Sequence, residues 1–66
     1  MTIVKKHESI GKYYICMEIA FRYGMEFYEV SMSWNGRTLK SNVYGIGEKK
    51  NALSCFYRYK KKAKNG

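Results

Sequence analysis

Residues 12–23, "KYYICMEIAFRY", alternate with a period of two. Tyr13, Ile15, Met17, Ile19, Phe21 and Tyr23 fall on one side, and Lys12, Tyr14, Cys16, Glu18, Ala20 and Arg22 on the other. Only an extended strand sends successive side chains to opposite faces, so this stretch predicts a long strand buried on one face. Alternation resumes after Gly24 over residues 26–34. Tyr28, Val30, Met32 and Trp34 form its apolar set, and Phe27, Glu29, Ser31 and Ser33 oppose them. Asn35-Gly36 follows; a type I′ hairpin turn needs positive φ at both central residues, and this pair tolerates it. Residues 37–44 then predict a third strand, with Leu39 and Val43 on one side and Thr38, Lys40, Asn42 and Tyr44 on the other.

The two hairpins constrain each other's register. A two-residue turn at Tyr23-Gly24 pairs Ile19 with Tyr28, Met17 with Val30 and Ile15 with Met32. A two-residue turn at Asn35-Gly36 pairs Trp34 with Arg37, Met32 with Leu39 and Tyr28 with Val43. Both registers collect apolar side chains on one face, and a slip of one residue would scatter them. The pattern predicts a three-stranded antiparallel meander in the order 1-2-3.

Such a sheet needs cover on its apolar face. The last segment, "EKKNALSCFYRYKKKAKNG", supplies it. Projected at 100° per residue, Ala52, Phe56, Tyr59 and Ala63 share a narrow arc flanked by Leu53 and Cys55, while Lys50, Ser54, Arg58 and Lys61 lie opposite. This is an amphipathic helix of about four turns. Gly45 and Gly47 end the third strand, Glu48 falls in the first helical turn and the lysines in the last, matching the macrodipole. The expected fold is therefore α+β: a three-stranded antiparallel meander with one C-terminal helix packed on the apolar face. Residues 12–64 make a single βββα domain, residues 1–11 a flexible N-terminal arm and residues 65–66 a frayed tail. The expected core is Ile15, Met17, Ile19, Phe21, Val30, Met32, Leu39, Val43, Ala52 and Phe56.

Several functions are disfavoured. Catalysis needs an acid, base or nucleophile set in a pocket, and the chain offers one His, no Asp, five Glu and no Walker-type phosphate loop. The reading is a non-enzyme with no cofactor and no small-molecule substrate. Cys16, Cys55 and His7 are too few and too scattered for a zinc site. Two buried free thiols in a reducing compartment are expected, with a single disulfide as the alternative. No apolar run approaches the roughly 18–20 residues that span a bilayer, and residues 1–11 lack the apolar segment of a signal peptide. The expectation is a cytoplasmic protein without a membrane partner.

Charge points to a partner. Thirteen Lys and Arg against five acids give a net charge of +8, an electrostatic footprint that suits polyanions. Seven of those thirteen are in the helix segment: Lys49, Lys50, Arg58, Lys60, Lys61, Lys62 and Lys64. A merely solvated helix back usually mixes signs at i,i+4 spacing; this one has a single sign and interleaved aromatics. Its Lys50, Arg58 and Lys61 side is the expected phosphate-facing side. Lys5, Lys6 and His7 join the patch if the arm folds nearby. On the outer sheet face, the register sets Glu18 opposite Glu29 with Asn42 beside them, a poor phosphate platform at the centre. Lys12, Tyr14, Arg37 and Lys40 lie toward one end as further nucleic-acid contacts. Ala20, Phe27 and Tyr44 lie toward the other, where Phe27 and Tyr44 suit a stacked base, a protein contact or plain cross-strand packing.

The run "NGRTLKSNVYGIGEKKNA" resembles the second half of a double-stranded RNA-binding domain, with Asn35-Gly36, Gly45-x-Gly47 and Lys49-Lys50-x-Ala52 in that order. The meander and C-terminal helix also resemble the amino-terminal arm-binding domain of conjugative-transposon integrases, and the plant DNA-binding domains of related fold, which lay their sheet in the major groove. Both resemblances are pattern-level and cover residues 12–64. They imply Lys49 and Lys50 as phosphate contacts at the helix start. The chain departs from the integrase pattern at Glu18 and Glu29, where that family carries Arg and Lys. The function so implied is a non-catalytic nucleic-acid-binding accessory protein of phage or mobile-element type. The alternative is a small protein-binding inhibitor or adaptor, anti-CRISPR-like, whose partner is an acidic or nucleic-acid-binding protein. It would act through the Phe27–Tyr44 group or a free strand edge, which could also pair with a second copy as a homodimer.

Overall fold

The structure, a computed structural model, describes residues 2–65. Four strands precede one helix: β1 (Thr2–Ile10), β2 (Tyr13–Arg22), β3 (Met25–Trp34), β4 (Arg37–Gly45) and α1 (Lys49–Asn65). The strands form one antiparallel sheet in the order β1-β2-β3-β4, and α1 crosses one face of it.

The β2–β3 pairing follows the alternation residue for residue, with Ile15 opposite Met32, Met17 opposite Val30 and Ile19 opposite Tyr28. Its turn has positive φ at both Tyr23 (54°) and Gly24 (73°), and the β3–β4 turn at both Asn35 (51°) and Gly36 (84°). Both have the dihedral signs of type I′ turns, whose twist matches that of the flanking strands.

Several expectations need correction, among them the frayed tail at residue 65, since Asn65 is the last residue of α1. The sheet has four strands, not three, because residues 2–10 form β1 where an arm was expected. β1 pairs antiparallel with β2 from Thr2 opposite Ala20 to Ile10 opposite Tyr13, with a bulge at Lys5. Its helix-facing positions hold Lys6 and Glu8, so the strand lacks a continuous apolar stripe. Those side chains instead meet α1. Glu8 Oε2 lies 3.0 Å from Lys60 Nζ, and Lys6 Nζ lies 5.3 Å from the centre of the Tyr57 ring and 5.8 Å from that of Phe56.

A further correction is the register of β4. Trp34 pairs with Arg37 as expected, but an extra residue at Leu39 shifts everything beyond it, so Met32 faces Lys40, Val30 faces Asn42 and Tyr28 faces Tyr44. A bulge of one residue exchanges the two faces of a strand. Leu39 and Val43 are therefore not core residues; they are 51% and 57% exposed. Asn42 and Tyr44 turn from the outer face to the helix side, and the expected outer pair of Phe27 and Tyr44 does not form.

The core lies between β2, β3 and the helix. It is built from Ile15, Met17, Tyr28, Val30 and Met32 of the sheet and Ala52, Cys55, Phe56, Tyr59 and Ala63 of α1. Ile19 packs at its margin, while Phe21, expected inside, is exposed at the strand end. Cys16 and Cys55 are both buried and free. Glu48 does not sit in the first turn but at the N-cap: its carbonyl accepts the Ala52 N–H at 3.1 Å, one carboxylate oxygen accepts the Gly45 N–H at 3.0 Å, and the other accepts the Asn51 side-chain amide at 3.2 Å. The turn closed by the Glu48 N–H donating to the Gly45 carbonyl at 2.9 Å sends α1 back along β4, so the helix C-terminus returns to the end of the sheet where β4 began. Among the described residues, no helix is long and apolar enough to cross a membrane.

Candidate nucleic-acid interface

The return of α1 along β4 opens a groove of about 830 Å³ between the edge strand and the C-terminal half of the helix. β4 contributes Leu39, Lys40, Ser41 and Asn42, and α1 contributes Arg58, Tyr59, Lys61, Lys62 and Asn65. Four of these nine carry positive charge, and no acid lines the groove among the described residues. On the helix, positions 58, 61, 62 and 65 fall within about 100° of arc, so they project together toward β4.

The floor is fixed by hydrogen bonds. The Asn42 side-chain amide donates to the Tyr59 hydroxyl at 2.9 Å and reaches the Cys55 sulfur at 3.5 Å. Burial, then bonding with Cys55, pushes the Tyr59 hydroxyl up to about 12, so it stays neutral. Burial alone would raise the Cys55 thiol, but hydrogen bonds from Asn42, then Tyr44, Tyr59 and Arg58, turn the net shift downward. At the rim, direct contact with the Lys62 ammonium, followed by repulsion between the two charges, lowers the pKa of Lys40. Two neighbouring ammonium groups raise the local positive potential and would gain from an anion between them.

The bulge at Leu39 assembles this site. Lys40, expected near Lys12 and Tyr14 on the outer sheet, is turned to the helix side beside Lys62. Arg37 precedes it on the same side, paired with Trp34, whose ring lies 5.9 Å from Lys12 Nζ. Trp34, read from the sequence only as a member of the apolar set, is 41% exposed at this end of the sheet. Its place as the last residue of β3, directly before Asn35-Gly36, is the sequence signal that sets it at the rim.

The remaining predicted contacts do not join the groove. Lys49 and Lys50 open α1 at the opposite end, Lys50 being about 16 Å along the axis from Lys61 at 1.5 Å per residue. Lys60 is occupied by Glu8, and Lys64 lies on the same helix side, toward β1. Tyr14 stacks against His7 on the outer face, with ring centres 5.9 Å apart. Lys6 is held over the helix aromatics, and Lys5 lies in the β1 bulge.

The outer face keeps the expected juxtaposition of Glu18 and Glu29. Arg22 Nη2 approaches Glu29 Oε1 at 3.6 Å and offsets part of the repulsion. Phe27 shares a shallow apolar depression of about 250 Å³ with Ala20, Tyr23 and Val43, the last taking the place expected for Tyr44. No group of three or more metal-ligating side chains occurs among the described residues.

No family model, curated protein sequence or solved structure matches this chain.

Proposed function

We propose that this protein is a non-catalytic nucleic-acid-binding module that holds the phosphate backbone in the groove between β4 and α1. The observation that carries the reading is the convergence of Lys40, Arg58, Lys61 and Lys62 on one groove without an acid among its described lining residues. The acids lie elsewhere. Glu8 is paired with Lys60, Glu48 caps the helix at the far end, and Glu18 and Glu29 are on the outer sheet face. A field segregated in this way attracts a polyanion to one site and orients it there. Backbone contacts of this kind are salt-dependent and blind to sequence.

A second reading has its own observation. Tyr23, Met25 and Val43 are exposed apolar side chains near the depression around Phe27, at the end of the sheet away from the groove. A protein partner docking there would make the chain an adaptor or inhibitor. The free backbone edges of β1 and β4 suit a partner strand less well, because each edge strand is interrupted by a bulge with a lysine beside it or in it.

The experiment is a binding titration against duplex DNA, duplex RNA and single strands at two salt concentrations. Binding that weakens steeply with salt supports the nucleic-acid reading. Absence of binding to every nucleic acid at low salt, with a large protein co-purifying, would replace it with the second.

A further inference from the structure

The groove does not end in empty surface. Arg37 and Lys40 lie on the same side of β4, and Arg37 is directly opposite Trp34. The cations of the groove therefore lead along one edge of the sheet to a half-exposed indole ring. We infer that the groove takes a single strand of nucleic acid, DNA or RNA, with its backbone along Lys40, Lys62 and Arg58 and a base stacked on Trp34. This inference rests on the nucleic-acid reading above and specifies its ligand.

The aromatic platform at the end of the groove favours a single strand over a duplex. Within the groove itself Tyr59 is buried, so no ring competes for bases there and the contacts are to the backbone. Trp34 offers a stacking surface at the groove's end, and stacking requires an unpaired base, which a duplex keeps inside its own stack. A charged groove with an adjacent aromatic platform is the combination by which sequence-tolerant single-strand binders work. Lys12, now over the Trp34 ring at 5.9 Å, is held there only by an exposed cation–π contact. It can exchange the ring for a phosphate when a base arrives.

Trp34 is the only tryptophan in the chain, so its emission reports this site alone. The test is a fluorescence titration of the intact protein with oligo-dT, oligo-U and a blunt DNA duplex of equal charge, at low salt. The single strands should quench Trp34 and bind more tightly than the duplex; the dT and U arms separate DNA from RNA. Trp34→Ala should weaken single-strand binding about 5- to 150-fold, the range expected for one stacked base. It should leave the salt slope unchanged, since stacking releases no counterions. Trp34→Phe should recover much of the loss. The wild-type quench needs no variant and stands as a test even if Trp34→Ala fails to fold. Single-strand binding without a change in Trp34 emission, or binding no tighter than to the duplex, would overturn this inference while leaving the nucleic-acid reading intact. No binding to any of the three would remove both.

Discussion

The side-chain amide of Asn42 donates a 2.9 Å hydrogen bond to the hydroxyl of Tyr59, joining the edge strand to the helix at the base of the basic groove. This contact exists because the bulge at Leu39 turns Asn42 to the helix side of the sheet. Tyr59→Phe removes the acceptor and should cost about 0.5–1.5 kcal/mol, the net value of one such bond. Urea unfolding of the variant against the parent measures it. An unchanged midpoint would show that Asn42 does not hold β4 to α1.

The same tyrosine gives the fold a signature at high pH. Its hydroxyl is pushed up to about 12 from an ordinary 10, by burial first and Cys55 second. Below about pH 10 the phenol is protonated in both the folded and unfolded chain, and its contribution is constant. Above that the unfolded chain loses its proton first, so stability should fall as pH rises through about 10 toward 12. Denaturant melts of parent and Tyr59→Phe across this window should converge. Parallel curves would mean that Tyr59 is not protected in the fold.

Phe56 is 1% exposed, at the centre of the contact between α1 and the sheet. Phe56→Ala should cost about 3–5 kcal/mol. That is most of the stability available to so small a domain, so the variant should be largely unfolded at room temperature. A cooperative thermal transition near that of the parent would refute the packing described.

Tyr23 is 99% exposed and has φ of 54°, in the left-handed region that disfavours a bulky side chain. Asn is the preferred residue at this position of a type I′ turn before Gly. Tyr23→Asn should therefore stabilise the protein by about 1 kcal/mol, the low end of the left-handed cost because Asn relieves only part of it, raising the melting temperature by several degrees. A lowered melting temperature would show that the exposed ring packs in a way that compensates its backbone. The variant also separates the two functional readings, since it strips an aromatic from the apolar end without touching the groove.

The sequence made β2, β3 and α1 legible for simple reasons. Period-two alternation over residues 12–23 and 26–34 leaves one register, and the helix arc of Ala52, Phe56, Tyr59 and Ala63 leaves one buried face. β1 was hidden because Lys6 and Glu8 stand where apolar residues would have marked a strand, and their partners Tyr57 and Lys60 are distant in sequence. β4 was misaligned because Leu39 and Val43 imitate an inward stripe. Bulges satisfy the chain through tertiary contacts, here Asn42 with Tyr59, that no local pattern reveals. The candidate site inherits both effects. Helical spacing alone set Arg58 and Lys61 on one side, though with Lys50, while Lys62 was legible only as part of the basic run. Lys40 joined them only through the bulge, and Lys49 and Lys50, expected from charge, from helical spacing in the case of Lys50, and from resemblance, lie at the other end.

That separation tests the central claim directly. Changing Lys40, Arg58, Lys61 and Lys62 to Gln touches only the groove, and changing Lys49 and Lys50 to Gln touches only the helix start. Both sets are exposed and should leave stability within about 0.5 kcal/mol per substitution. The decisive measurement is the slope of log affinity against log salt for a single-stranded oligonucleotide, in the parent and both variants. The groove variant should bind far more weakly, with a slope flattened by up to about 2.8, or roughly 0.7 for each lost phosphate contact. The helix-start variant should keep nearly the parent slope. An unaltered slope in the groove variant, or an equal change in the two, would contradict the assignment of the nucleic-acid site to the groove between β4 and α1.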